Sequence, residues 1–146
     1  MFIKINKKIE YALIALNHLY EQANGTSVTS RELSERYKLP FDTISKVMQS
    51  LAAHEILIST QGVKGGYQLK TNLSQINYLN IYEIIEGKKV TTDCKDMACK
   101  LVSTCNITGP ISNLNHSLVS YMQGLSLADL FENRTPETVL REVIHG

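Results

Sequence analysis

The sequence predicts a mainly α-helical fold with one small β-hairpin. Two features carry this. Apolar residues recur at three- and four-residue spacing through most of residues 7–54 and again through 110–124, the period of a helix with one buried face. Residues 56–69 break that period with two short β-rich runs around a glycine-rich turn. There are no internal repeats, and 146 residues with 43% apolar content suit one compact domain, or a small domain plus an extension.

Each element follows in order. Ile9, Ala12, Leu13, Leu16, Leu19, Tyr20 and Ala23 mark a first helix, with Asn6 as its cap and Gly25 as its stop. Thr29 and Glu32, at capping-box spacing, open a second helix that runs to about Tyr37. Lys38 and Leu39 make a tight link. Pro40 suits the first turn of a third helix, which carries Ile44, Val47, Met48 and Leu51 inward as far as about His54. Residues 56–60 and 67–69 form the hairpin strands. Helix, helix, short turn, helix, hairpin is the order of a winged helix-turn-helix.

Beyond the hairpin, Asn80 opens a short helix that stops at Gly87. Pro110 begins a longer one, with Ile111, Leu114, Leu118, Val119 and Met122 on one stripe and Gly124 at its end. Ser126 and Asp129 start another short turn, and Thr135-Pro136 cap a last amphipathic segment through Val139, Leu140, Val143 and Ile144. The stripe on 110–124 is more apolar surface than so small a domain covers. Two copies packed together would bury it, which predicts a two-fold homodimer through a long dimerisation helix. The chain thus divides into a winged helix-turn-helix at 1–72, a connecting helix and cysteine loop at 73–109, and a dimerisation helix and tail at 110–146.

A helix-turn-helix sets its second helix into the DNA major groove, N-terminal residues toward the base edges. Here those are Phe41, Asp42, Thr43, Ser45 and Lys46, with Gln49 one turn on. Gln49 and Thr43 suit base edges, whereas Ser45 and Lys46 suit phosphates. Ser30, at the start of the supporting helix, offers a hydroxyl and an N–H to a phosphate. The wing brings Lys64 with Gly65 and Gly66, although a tight turn alone also accounts for the glycines. A dimer would place two such helices about one DNA turn apart, matching palindromic double-stranded operator DNA.

Composition excludes several other classes. Residues 1–70 carry nine Lys/Arg against six Asp/Glu and residues 71–146 six against eight, so a net charge of +1 conceals only a mild basic bias in the first half. No run reaches the about 20 apolar residues that span a bilayer, and the opening residues lack a signal peptide's apolar region, so a cytoplasmic protein is expected. No nucleotide loop, nucleophile elbow or His-Glu metalloprotease helix is present, and His18, His54, His116 and His145 are scattered, so no enzyme is predicted.

Cys94, Cys99 and Cys105 are the chain's three cysteines. An odd number in one polar loop closes no disulfide framework, and in a reducing compartment thiolates remain available as ligands. Soft thiolates suit an iron–sulfur centre or zinc, with His116 or Asp93 as completing ligands for zinc. Free thiols are the remaining alternative.

The start of the first helix (Lys8-Ile-Glu-Tyr-Ala-Leu13), the wing (Gly62-Val-Lys-Gly-Gly-Tyr-Gln-Leu69), the cysteine loop and the later Leu125-Ser-Leu-Ala-Asp-Leu130 resemble the NsrR/IscR family of winged-helix repressors over nearly the whole chain. The cysteine spacing is closer to the nitric-oxide-sensing NsrR branch, because the IscR-type histidine three residues after the third cysteine is Thr108 here. The resemblance implies a 4Fe–4S or 2Fe–2S cluster on Cys94, Cys99 and Cys105, and a transcriptional repressor that responds to nitric oxide. It also implies a carboxylate ligand from the partner subunit at the position of Glu10, where that branch has an aspartate. Iron supply or redox state is the alternative signal.

Overall fold

The computed structural model describes residues 6–90 and 99–134 together with Arg141 and Ile144. Helix α1 (Lys7–Glu21) is capped by Asn6, whose side chain accepts the N–H of Ile9. It ends earlier than its apolar period, and the chain turns through Gly25 at φ +84°, a left-handed conformation that glycine adopts without a Cβ penalty. Helix α2 (Ser30–Tyr37) opens on the predicted capping box: Thr29 and Glu32 each satisfy the other's backbone N–H. Lys38, left-handed at φ 55°, then reverses the chain into α3 (Phe41–Ala53). Pro40 takes the N-cap position of α3 rather than its first turn, where it still leaves no N–H unpaired.

Strands β1 (Leu57–Thr60) and β2 (Gly66–Leu69) pair antiparallel, with Leu57 opposite Leu69 and Thr60 opposite Gly66. The hairpin is stitched to the entry of α2 by a bridge between Val28 and Tyr67, through N···O distances of 2.8 and 3.0 Å. Gly66 permits this approach. A Cβ there would lie 2.8 Å from the Val28 carbonyl oxygen, and φ is +147°.

A 3-10 turn (Leu73–Gln75) and helix α4 (Tyr78–Glu86) follow. The start of α4 lies two residues before the sequence-predicted Asn80. Asn77 caps the helix and Asn80 completes the box from its third position, so an asparagine pair does the work usually read from Ser/Thr and Glu. Helix α5 (Thr108–Gln123) starts before Pro110, and α6 (Leu127–Phe131) is capped by Ser126 with Asp129. The segment expected from Thr135 onward lies outside the described residues, apart from Arg141 and an exposed Ile144.

One core holds α1, α2, α3 and the hairpin together through Leu16, Leu33, Ile44, Met48, Leu51 and Leu57, and Leu73, Ile81 and Leu127 extend it under the 3-10 turn, α4 and α6. A smaller cluster of Ile9, Tyr78 and Leu79 joins α1 to α4 and receives Val119 and Met122 of α5.

Candidate DNA interface and thiol loop

The capping box fixes where α2 begins, and the left-handed Lys38 fixes where it ends and how α3 leaves it, so α3 presents a defined outer face. Phe41, Asp42, Lys46 and Gln49 are exposed on it, and Thr43 and Ser45 are half-buried at its margins. The opposite side, Ile44, Val47, Met48 and Leu51, is sealed in the core. The wing tip carries Lys64 beside a fully exposed Val63.

Gly65 and Gly66 are half-buried, and both are required by geometry, since a Cβ on Gly65 would meet the Thr60 oxygen at 2.8 Å. Their role in shaping the wing is therefore explained without DNA. Ser30 departs from expectation. It is only 8% exposed, which leaves its hydroxyl little access to a phosphate.

Sequence reasoning passed over Arg31. Its guanidinium lies 5.1 Å from the centroid of the exposed Phe41 ring, a cation–π contact linking the first turns of α2 and α3. It is the second residue of α2, two after the Thr29 cap, and its outward position was readable only once the helix was placed.

Cys94 and Asp93 lie outside the described residues. Cys99 is exposed and Cys105 half-buried, both in the turns leading into α5. Hydrogen bonding from the Ile107 N–H, then from Thr108, holds the Cys105 thiol below the ordinary range against desolvation, and the Thr108 hydroxyl donates to the Cys105 carbonyl oxygen at 3.3 Å. Cysteine sulfur is the donor a soft metal centre takes, and the exposed Cys99 and half-buried Cys105 fit that role by residue type. No group of three potential ligands converges among the described residues of one protomer. His116 is exposed on α5.

Glu10 is half-exposed on the outer side of α1. It accepts an ion pair from Lys7 at 3.1 Å and rims a shallow groove with Leu13, Ile14, Asn17 and Phe131.

The apolar stripe on α5 divides into two. Asn115 is buried and Val119 and Met122 are packed, facing the domain. Ile107, Leu114, Leu118 and Tyr121 face outward at 52, 54, 39 and 49% exposure. With the half-buried Ile111, this outer row runs 107, 111, 114, 118, 121, alternating steps of four and three, which is the spacing of a helix–helix seam. No described helix is long and apolar enough to cross a membrane.

A family model described as Rrf2, iron-dependent transcriptional regulator, matches residues 5–133. The chain is 22% identical over 134 residues to the HTH-type transcriptional regulator NsrR of Oceanobacillus iheyensis, covering 90% of this chain and 91% of that one. Among solved structures it is similar to CymR (YrzC), titled the global cysteine regulator of B. subtilis, with TM-score 0.68 and 18% identity over 90% of this chain and 98% of that one. It is also similar to T. potens IscR, with TM-score 0.63 and 19% identity over 91% and 89% of the two chains.

Proposed function

The chain belongs to the Rrf2 family of transcriptional regulators, and on that premise we propose that it is a homodimeric repressor whose hold on operator DNA is set by an iron–sulfur cluster and released by nitric oxide. The observation that carries the DNA reading is the outer face of α3, where Asp42, Lys46 and Gln49 stand in one exposed row with Phe41 at the helix start, flanked by the lysine-tipped wing. Gln49 and Thr43 read base edges there, while Ser45, Lys46 and Lys64 hold backbone phosphates.

In this reading residues 1–72 read DNA, 73–109 carry the sensor and 110–146 make the dimer, in the cytoplasm. Cys94, Cys99 and Cys105 of one subunit hold the cluster, in 4Fe–4S or 2Fe–2S form, and Glu10 of the other completes the set. When bound, the cluster supplies iron that reacts with nitric oxide. The protein's part is mechanical. Cys105 lies three residues before the first turn of α5, and Glu10 lies in the first turn of α1, so their common attachment ties one subunit's seam to the other's DNA-binding half. Loss of that tie changes the spacing of the two α3 helices. A coupling of about 1–3 kcal/mol would weaken operator binding about 5- to 150-fold.

The test is anaerobic purification, iron and sulfide analysis, and operator titration before and after nitric oxide. Unchanged affinity after complete reaction rejects nitric oxide as the signal. Similarity to CymR, whose title names a cysteine regulator, supports a second reading in which DNA binding is governed without a cluster. Colourless, iron-free protein that binds its operator tightly would establish it.

A further inference from the structure

A small notch lies where α1, α3 and α4 meet. Lys8 of α1, Thr43, Lys46, Val47 and Ser50 of α3, and Ile85 of α4 enclose about 170 Å³. A water takes up about 30 Å³ in the liquid, so the notch has room for a phosphate group. Two lysines and two hydroxyl-bearing residues line it together with buried Val47 and half-buried Ile85.

Lys8 and Lys46 are both exposed, and neither forms an ion pair with a described residue, whereas the neighbouring Lys7 is taken by Glu10 at 3.1 Å. Asn6, the cap of α1, also donates its side-chain amide to Glu86 at the end of α4. That bond pins the first turn of α1, and with it Lys8, against the end of α4. The α3 residues of the notch, at 43, 46, 47 and 50, form one helical row directly beside the exposed row of Asp42, Lys46 and Gln49. A helix seated in the major groove has a sugar–phosphate backbone along such a flank.

We propose that this notch seats one DNA backbone phosphate between Lys8 and Lys46, so that α1 belongs to the nucleic-acid interface. The proposal rests on the DNA reading given above. The contact is independent of base sequence, and it orients α3 by fixing how deeply and at what angle the helix enters the groove.

The experiment measures binding against salt for wild type, Lys8→Gln and Lys8→Arg, on a duplex selected by the protein from random DNA and on an unrelated duplex. Removing one phosphate contact flattens the slope of log K against log salt by about 0.9. From that slope the loss for Lys8→Gln is about eightfold at roughly 0.1 M salt and about threefold at roughly 0.3 M. The loss should be equal on both duplexes, and Lys8→Arg should keep the wild-type slope.

An unchanged slope, or a loss confined to the selected duplex, overturns the proposal. A wild-type protein with no salt-dependent DNA binding overturns the DNA reading itself. Acetylation footprinting of the unmodified protein supplies an independent arm. Lys8 should be protected by the duplex and not by millimolar inorganic phosphate. Protection by free phosphate alone would make the notch a site for a small anion and defeat the proposal.

Discussion

Truncating the outer row of α5 should separate the subunits without unfolding them. Leu114 and Leu118 are 54% and 39% exposed in the protomer, so about half of each side chain remains to be buried by a partner. Complete burial of a leucine is worth about 1.5–3 kcal/mol, so each contributes about 1 kcal/mol to the seam. A two-fold interface counts every substitution twice. Leu114→Ala with Leu118→Ala therefore costs the dimer about 4 kcal/mol, or roughly a thousandfold in Kd. Ordering losses at the interface reduce the realised value toward several-hundredfold. Sedimentation equilibrium over a range of protein concentrations, without DNA, reads this directly, and far-UV circular dichroism verifies that the variant protomer stays helical. A variant whose dimer dissociates within about threefold of wild type refutes the assignment of this row as the seam.

Gly66→Ala must either relieve a 2.8 Å approach to the Val28 oxygen or hold alanine at φ +147°. Strain of this kind costs about 2–3 kcal/mol and should lower Tm by about 5–10 °C in a thermal melt. Thr29→Ala removes the acceptor for the Glu32 N–H and should cost about 1 kcal/mol in urea unfolding. The Thr29 backbone N–H, and then its hydroxyl, hold the Glu32 carboxyl below the ordinary carboxylate range. Its stabilisation is thus present above that range and is lost as pH falls through the depressed folded value. Glu32→Gln should remove that part of the acid dependence, and an unaltered acid limb in the variant's pH–stability curve would contradict the assignment. In anaerobically reconstituted protein, Glu10→Ala should weaken retention of the cluster at least about tenfold against a chelator, followed by its visible absorbance. Equal retention would remove Glu10 from the ligand set.

The first half of the chain was legible in sequence because its signals are local. A capping box, a helix period and a glycine-rich turn each act within a few residues, and α1, α2, α3 and the hairpin formed where they pointed. The errors arose where a neighbour decides the outcome. Asn77 was not read as the start of α4 because its partner in the box is Asn80 rather than an acidic residue. The burial of Ser30, at 8% exposure, was likewise not legible from its position next to the cap. The apolar row on α5 could not be divided from sequence alone. The inward face is set by Tyr78, Leu79 and Ile9, which take up Val119 and Met122, while Leu114 and Leu118 stay outside. Lys8 carried no signal as a site residue, because its meaning depends on Lys46 and Ile85 meeting it in space.

The first turn of α1 joins the two proposed functions over a very short path. Glu10 lies on one flank and Lys8 on another, and Ile9 between them is completely buried. The Asn6 cap and its bond to Glu86 keep this turn in register with α4. Glu10 itself is lightly held, since an exposed pair three residues apart, such as Lys7–Glu10, is worth only about 0.2–0.5 kcal/mol. Swinging its carboxylate toward a partner's thiolate loop is therefore inexpensive, whereas moving the turn would disturb Ile9 and the cap. Ligation at Glu10 would thus fix the position from which Lys8 meets a phosphate without distorting the core. Linked equilibria are reciprocal, so if the proposed cluster tightens operator binding, operator DNA would tighten cluster binding by the same factor.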